Sequence, residues 1–398
     1  MQRILTFAAL VLIASCAPQA ANQTQVDGTT SVEPFKVGTF GIDGTQTVGV
    51  VLRDALIIDL AAANSALEAD PTYPHIEAPT DMIELIEHYE DGLKSRIYEI
   101  VNNVVGNDLL EANYVHGVED VDILPPIMYP SKNMNAAVNF YTHACEGCTE
   151  EQLAARTRQR QENRGVPYLF LKPTRGAIIG NGDDIVMPYG RDRIEWEVEL
   201  AIVFGTEGKY ISARRAYDHV FGYMVAMDVS DRGGRPPGGY GSGQDWFVGK
   251  GHDTFAPQGP WIVPKEFYGD PMDRLHQSLV IDGVTVQEAR AGDMIHNIPE
   301  LIEYASSLIT VFPGDVLQSG TSGGTGAGRV QRATGSGYLQ AGETINASIE
   351  GIGTLTHTVI AEEGVPDDLS GAQLPPTRTY RPGSCCLLYT SPSPRDRG

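Results

Sequence analysis

The stretch Ile194-Glu-Trp-Glu-Val-Glu-Leu200 alternates apolar and acidic residues without interruption. Successive side chains of a strand point to opposite faces, so Ile194, Trp196, Val198 and Leu200 fall on one face and Glu195, Glu197 and Glu199 on the other. Carboxylates about 7 Å apart along one face repel one another unless water or a cation neutralises them. Downstream, Tyr223-Met-Val-Ala-Met-Asp-Val229 reads as a mostly buried strand with Asp228 inside it. A buried carboxylate needs a partner, whether a metal, an arginine or several N–H donors. Ligands that offer only oxygen favour a hard cation, Mg²⁺ or Mn²⁺ with Ca²⁺ as a further candidate, over zinc. On these residues alone, the alternative is a solvated edge-strand face with Asp228 in an ordinary salt bridge.

The elements that must position these groups lie in a chain of 398 residues, 41% hydrophobic and 20% charged, ordinary values for a globular protein with a sizeable core. Only the N-terminal apolar run approaches the length of a membrane span, which excludes a membrane bundle. The net charge of -22, from 51 acidic and 29 basic residues, repels phosphate backbones, so nucleic acid is not an expected partner. An anionic substrate remains compatible, because a metal and a few Arg or Lys residues can reverse the potential inside one cleft.

Residues 1–16 read as a signal peptide, with Arg3, an apolar core from Ile4 to Ile13, and Ala14-Ser15-Cys16 in the manner of a bacterial lipobox. Lipidated Cys16 would hold the protein on the periplasmic face of a membrane, and cleavage near Ala20 or Ala21 would instead release it into the periplasm. Residues 17–34 form a polar tether. Residues 35–118 are expected to make a small N-terminal α+β domain, with short strands and then a helix capped by Asp81 and Glu84, its apolar face carrying Met82, Leu85, Ile86, Tyr89 and Leu93. Pro125-Pro126 marks the passage to a β-rich region, 119–360, followed by a Pro-rich tail, 361–385. Residues 386–398 look like a translated sequencing adaptor and are left out of the fold, the native C-terminus being expected elsewhere.

Four ordered blocks carry a resemblance: Pro167-Tyr-Leu-Phe-Leu-Lys-Pro173, Glu195 to Val203, Gly222 to Ser230, and Gln244-Asp-Trp-Phe-Val-Gly-Lys-Gly-His-Asp-Thr-Phe-Ala-Pro257. With Gly314-Asp-Val-Leu317 and Gly351-Ile-Gly-Thr-Leu355 they resemble the fumarylacetoacetate hydrolase family from Pro126 to about Val359. The resemblance implies an α+β, mostly β fold, a mixed β-sandwich roll with a small N-terminal α+β domain. It implies metal ligands Glu197, Glu199 and Asp228 for Mg²⁺ or Mn²⁺, a catalytic Lys250, and substrate contacts from Arg232, Gln244 and Thr321. Asn139-Phe-Tyr-Thr-His143-Ala-Cys-Glu146 is similar to the family segment that carries a His and a Glu on a short helix closing over the site. A spacing of three places both on one helix face, where Glu146 can orient His143 as a base toward water. Two departures stand out. The loop Gly320-Thr-Ser-Gly-Gly-Thr-Gly-Ala-Gly328 lacks the family's proline, and the segment after Arg232 lacks its usual acidic residue.

The implied activity is metal-dependent hydrolysis of a carbon–carbon bond in a small 1,3-dicarbonyl or acylpyruvate-type acid by a homodimeric enzyme. Decarboxylation of a 2-oxo acid, and isomerisation or dehydration of a hydroxy or oxo acid, fit the same metal site; a non-catalytic periplasmic binding protein is the reading of another class. Of the five cysteines, Cys16 is assigned to lipid, and Cys386, beside Cys385, to the adaptor. Cys145 and Cys148 bracket Glu146 with no second pair for zinc, and leave a local disulfide or two thiols open.

Overall fold

The computed structural model describes residues 28–234, 245–328 and 337–366. The signal segment with Cys16, the tail with Cys385 and Cys386, and Gln244 lie outside these residues. Val198–Phe204 and Val220–Met227 are near-continuous apolar runs, buried at every position, as strands covered on both faces are. They pair antiparallel from Val198↔Met227 to Phe204↔Val220. On one side Val198–Phe204 pairs with Val316–Gln318, which runs parallel to Asn133–Ala136, and that strand pairs with Leu169–Lys172. On the other side Val220–Met227 pairs with Ala256–Pro264. The N-terminal strands Lys36–Ile42, Thr45–Leu52 and Leu56–Asp59 join the same sheet through Val37↔Ile262, giving twelve strands among the described residues.

Two different layers explain the double burial. Leu200, Ile202 and Phe204 share a core with Leu279, Ile281, Ile345, Ala347 and Leu355 of a second sheet, ordered Val284–Arg290, His276–Ile281, Thr344–Ile349, Gly353–Ala361, Ile185–Met187. Ala201, Val203, Met224 and Ala226 face the opposite way and pack with Leu85, Ile86, Ile97 and Val101 of the N-terminal helices. The result is the mixed, strand-dominated α+β sandwich expected from the sequence. No helix among the described residues is long and apolar enough to cross a membrane.

One helix departs from the sequence reading. Asp81 caps Met82–Glu87 by accepting from the Glu84 N–H, and Glu84 answers by accepting from the Thr80 N–H. Tyr89 and Leu93 are buried at their helical spacing, but the α-helix stops at Glu87 and the chain turns through Gly92 at φ 126° before restarting as Lys94–Gly106. Only glycine enters that region freely, so Gly92 splits what the apolar period reads as one element. The second helix buries Arg96, which donates to Asn64 Oδ1, Glu68 Oε1 and Glu99 Oε2 and to the Pro74 carbonyl. Arg96→Ala strands those acceptors, and because both glutamates keep some exposure the cost falls at the low end for a broken buried pair, about 3 kcal/mol. A urea midpoint shifted down by less than about 1 kcal/mol equivalent would contradict this.

Candidate active site

The acidic stretch does not lie on a solvated edge. Ile194–Glu195 pairs with Ser230–Asp231, the chain leaves the ladder at Trp196 and Glu197, and Val198–Phe204 resumes in the central sheet. Trp196 anchors the break, fully buried with its Nε1–H on the Gly324 carbonyl at 3.1 Å. Glu195, Glu197 and Glu199 therefore point together into the interior, none more than 3% exposed. Asp228 follows Val220–Met227 on the neighbouring strand, its N–H on the Glu197 carbonyl at 2.9 Å. Oxygens of Glu197, Glu199 and Asp228 all lie within 4.8 Å of one another.

Cations surround this cluster unevenly. Lys250, at the end of the short helix Trp246–Lys250, places Nζ 2.9 Å from Glu197 Oε2, 2.5 Å from Asp228 Oδ2 and 2.6 Å from Ser230 Oγ. Lys172, a fully buried lysine in the block Pro167 to Pro173, sits 2.5 Å from Asp228 Oδ1 and 2.8 Å from the Val229 carbonyl. Sequence reasoning assigned it no role, although a lysine ending the apolar run Leu169-Phe-Leu171 was the available signal. Arg232 bridges Glu195 and Glu197. Among the described residues Glu199 has no ion pair, and its bond comes from the Gly320 N–H at 2.7 Å.

Burial pushes the Glu199 carboxyl well above its usual range, and the Asp228 and Glu197 charges push the same way. Burial also raises Glu197, but Lys250 and Arg232 outweigh it and hold that carboxyl low. Burial drives the Lys172 ammonium down against the pull of Asp228. An all-oxygen donor set with one carboxylate lacking a counter-charge fits a hard divalent cation on Glu197, Glu199 and Asp228.

His143, Arg232, Lys250 and Thr321 line one cleft together with Glu197 and Asp228, while Gln244 lies outside the described residues. His143 opens a single 3₁₀ turn, His143–Cys145, whose threefold repeat eclipses residues three apart and sets Nδ1 2.9 Å from Glu146 Oε1. A disulfide between Cys145 and Cys148 closes the turn. Thr321 is buried, donating to the Val198 carbonyl at 2.8 Å and accepting from Gln287 Nε2 at 2.9 Å. The glycine loop that lacks the family's proline still ties three carboxylates together: Gly320 holds Glu199, Thr325 Oγ1 holds Glu146 at 3.0 Å, and the Ala327 N–H holds Glu195 at 2.5 Å. Gly320 itself needs glycine, at φ 88° with a Cβ position 2.7 Å from Asn139 Cβ. Arg232, expected at the substrate, lines the cleft with its guanidinium already shared between Glu195 and Glu197.

The profile of the fumarylacetoacetate hydrolase C-terminal domain matches residues 134–360. The chain belongs to this family. It is 36% identical over 205 residues to a 2,4-didehydro-3-deoxy-L-rhamnonate hydrolase of Sphingomonas, covering 52% of this chain and 69% of that one. It is 32% identical to a mitochondrial oxaloacetate tautomerase of Bos taurus, over 71% of this chain and 80% of the relative. Among solved structures it superposes with TM-score 0.60 at 27% identity on a maleylpyruvate hydrolase from Sphingobium in complex with manganese(II) and pyruvate, covering 83% of this chain and 100% of that one. These fumarylacetoacetate hydrolase relatives are enzymes, and their named reactions include both hydrolysis and tautomerisation.

The raised Glu199 carboxyl makes a signed prediction for the metal-free protein. A carboxyl whose folded pKa lies above its unfolded value binds its proton more tightly when folded, so stability falls as pH rises above the ordinary glutamate range. Glu199→Gln removes that loss and should make the metal-free protein more stable than the parent at pH 8. The same variant should lose the parent's response to Mn²⁺, a rise in melting temperature of roughly 5 °C at a hundredfold excess over Kd. A parent-like Mn²⁺ shift in the variant would remove Glu199 from the ligand set.

Proposed function

We propose that the protein is a metal-dependent hydrolase that cleaves the carbon–carbon bond between the carbonyls of a small acylpyruvate-type acid. The observation that carries this reading is His143, which lines the same cleft as Glu197, Asp228 and Lys250 and is paired behind it with Glu146 at 2.9 Å. With Nδ1–H donated to Glu146, the Nε2 of His143 is the proton acceptor left to face the cleft, the arrangement of a general base toward water. Glu197, Glu199 and Asp228 would hold Mg²⁺ or Mn²⁺, which when bound supplies Lewis acidity toward the substrate's oxygens.

His143 takes a proton from water, and the hydroxide adds to the distal carbonyl carbon. The bond to the methylene carbon then breaks, leaving a carboxylic acid and the enolate of pyruvate, which takes up a proton. Lys250 has its donors on Glu197, Asp228 and Ser230, so it serves this step as a fixed positive charge beside the developing enolate. Glu146 keeps the His143 tautomer, and the Thr325 hydroxyl keeps Glu146 in place. A second reading, keto–enol tautomerisation of a 2-oxo acid, draws support from the tautomerase relative and would use His143 on a carbon-bound proton.

Pyruvate released in equal amount with the second acid, from an acylpyruvate and Mn²⁺-loaded enzyme, supports hydrolysis; solvent-deuterium uptake without cleavage would point to tautomerisation instead. His143→Ala should cost at least about a hundredfold in turnover, whereas reducing the Cys145–Cys148 bond should change it no more than about tenfold. Equal turnover in the parent and His143→Ala would reject His143 as the base.

We also propose that the enzyme is exported and lipid-anchored through Cys16, a reading supported by the N-terminal pattern and by the Cys145–Cys148 disulfide, a bond that persists in oxidising compartments. Cys16→Ser should then free the protein from the membrane fraction with its specific activity intact; continued sedimentation with membranes would argue against the anchor.

A further inference from the structure

Glu197 and Glu199 of the carboxylate cluster flank a single residue, Val198, so the direction of both side chains depends on how the Val198 peptide groups are held. The sheet holds only part of this stretch. On one side Asp228 donates its N–H to the Glu197 carbonyl at 2.9 Å. On the other side the paired register ends at Ala201↔Gln318, and the neighbouring strand passes into the loop 320–328. Side chains take the place of a partner strand at Val198. Its N–H donates to Gln287 Oε1 at 3.1 Å, and its carbonyl accepts from Gln277 Nε2 at 3.1 Å and from the Thr321 hydroxyl at 2.8 Å.

Gln287 is the centre of this arrangement. It lies on Val284–Arg290, the edge strand of the second sheet, yet is only 1% exposed. Besides accepting from Val198, it donates from Nε2 to the Thr321 oxygen at 2.9 Å and to the Ser322 carbonyl at 2.8 Å. Both amide protons and the amide oxygen are therefore in use. The reverse orientation would set the NH₂ group against the Val198 N–H, so the network admits one placement of the amide. The Thr321 hydroxyl is committed as well, because its one proton goes to the Val198 carbonyl and its oxygen accepts from Gln287. One amide thus ties the ligand stretch, the loop 320–328 and the second sheet together, and a buried polar network with every member satisfied is rigid.

We propose that Gln287 is a positioning residue for the metal centre, acting through the Val198 peptide to aim Glu197 and Glu199 at one ion. The proposal rests on the reading of Glu197, Glu199 and Asp228 as ligands and not on which reaction follows. Gln287 carries no charge, so a neutral replacement that changes metal affinity reports geometry and not electrostatics.

Calorimetric titration of Mn²⁺ into the full chain tests this. Gln287→Met, which keeps the length of the side chain and removes its amide, should weaken binding about tenfold or more, the cost of losing a group that orients metal ligands. Thr321→Val should weaken it in the same direction, and Thr321→Ser, which keeps the hydroxyl, should bind as the parent does. Ser306→Ala removes a buried hydroxyl that accepts from the Ile211 N–H, and it controls for destabilisation alone: the melting temperature should fall and the Mn²⁺ affinity should not. Parent-like binding by Gln287→Met, or a loss that Ser306→Ala matches, would overturn the proposal. If Gln287→Met does not fold, the Thr321 pair decides, and parent-like binding by Thr321→Val is then the overturning result. A parent that binds no Mn²⁺ would remove the ligand reading and the proposal together, whereas equal binding by parent and Gln287→Met removes the proposal only.

Discussion

The constraint on which the rest of the structure depends is the burial of four carboxylates in one place. Glu195, Glu197, Glu199 and Asp228 are each at most 3% exposed, and charges removed from water to that extent must be compensated on the spot. Lys172 and Lys250 converge on Asp228, Arg232 spans Glu195 and Glu197, and Glu199 is left with a backbone N–H. Among the described residues the cluster is left with one negative charge unbalanced, and the uncompensated Glu199 stands with Glu197 and Asp228, the three whose oxygens could share one hard cation.

Satisfying that constraint requires a rigid frame, and the double-faced central sheet provides it. One face of Val198–Phe204 packs on the second sheet and the other on the N-terminal helices, so the strand cannot shift without disturbing both cores. The ladder breaks at Trp196 and Glu197, where the buried indole fixes the direction of the glutamates on either side. The loop 320–328 then closes the site from above, spending backbone N–H groups on Glu199 and Glu195 and a hydroxyl on Glu146. On the same sheet face beyond Glu199, the amides of Gln258 and Gln318 both donate to Asn133 Oδ1 at 3.1 Å, so the interior stays polar behind the carboxylates before the apolar core begins.

Much of this was legible before any coordinates because it is written in local patterns. The strict alternation from Ile194 to Leu200 assigned Trp196, Val198 and Leu200 to the core and the glutamates to the other side, and both sets lie there. The Asp81 and Glu84 cap was readable for the same reason, since its partners are three residues apart. The helix beyond it was not, because a continuous apolar period does not register the break that Gly92 introduces. The family blocks named Glu197, Glu199, Asp228, Lys250, His143 and Glu146 in one line of text, with no indication of how they meet.

Sequence by itself determined which faces are apolar, which residues can carry charge or take a proton, and the oxygen-only character of the ligand set, since each follows from residue type and short-range periodicity. Tertiary structure decided the neighbours. Lys172 is 56 residues from Asp228, Arg232 is 37 from Glu195, and Thr325 is 179 from Glu146, so no local pattern encodes those contacts. It decided too that, among the described residues, Glu199 has no counter-charge, and that Arg232 is taken up by two glutamates. The physical reason is common to all of these: the state of a buried charge is set by the sum of everything packed around it, and that sum exists only once distant segments have been brought together.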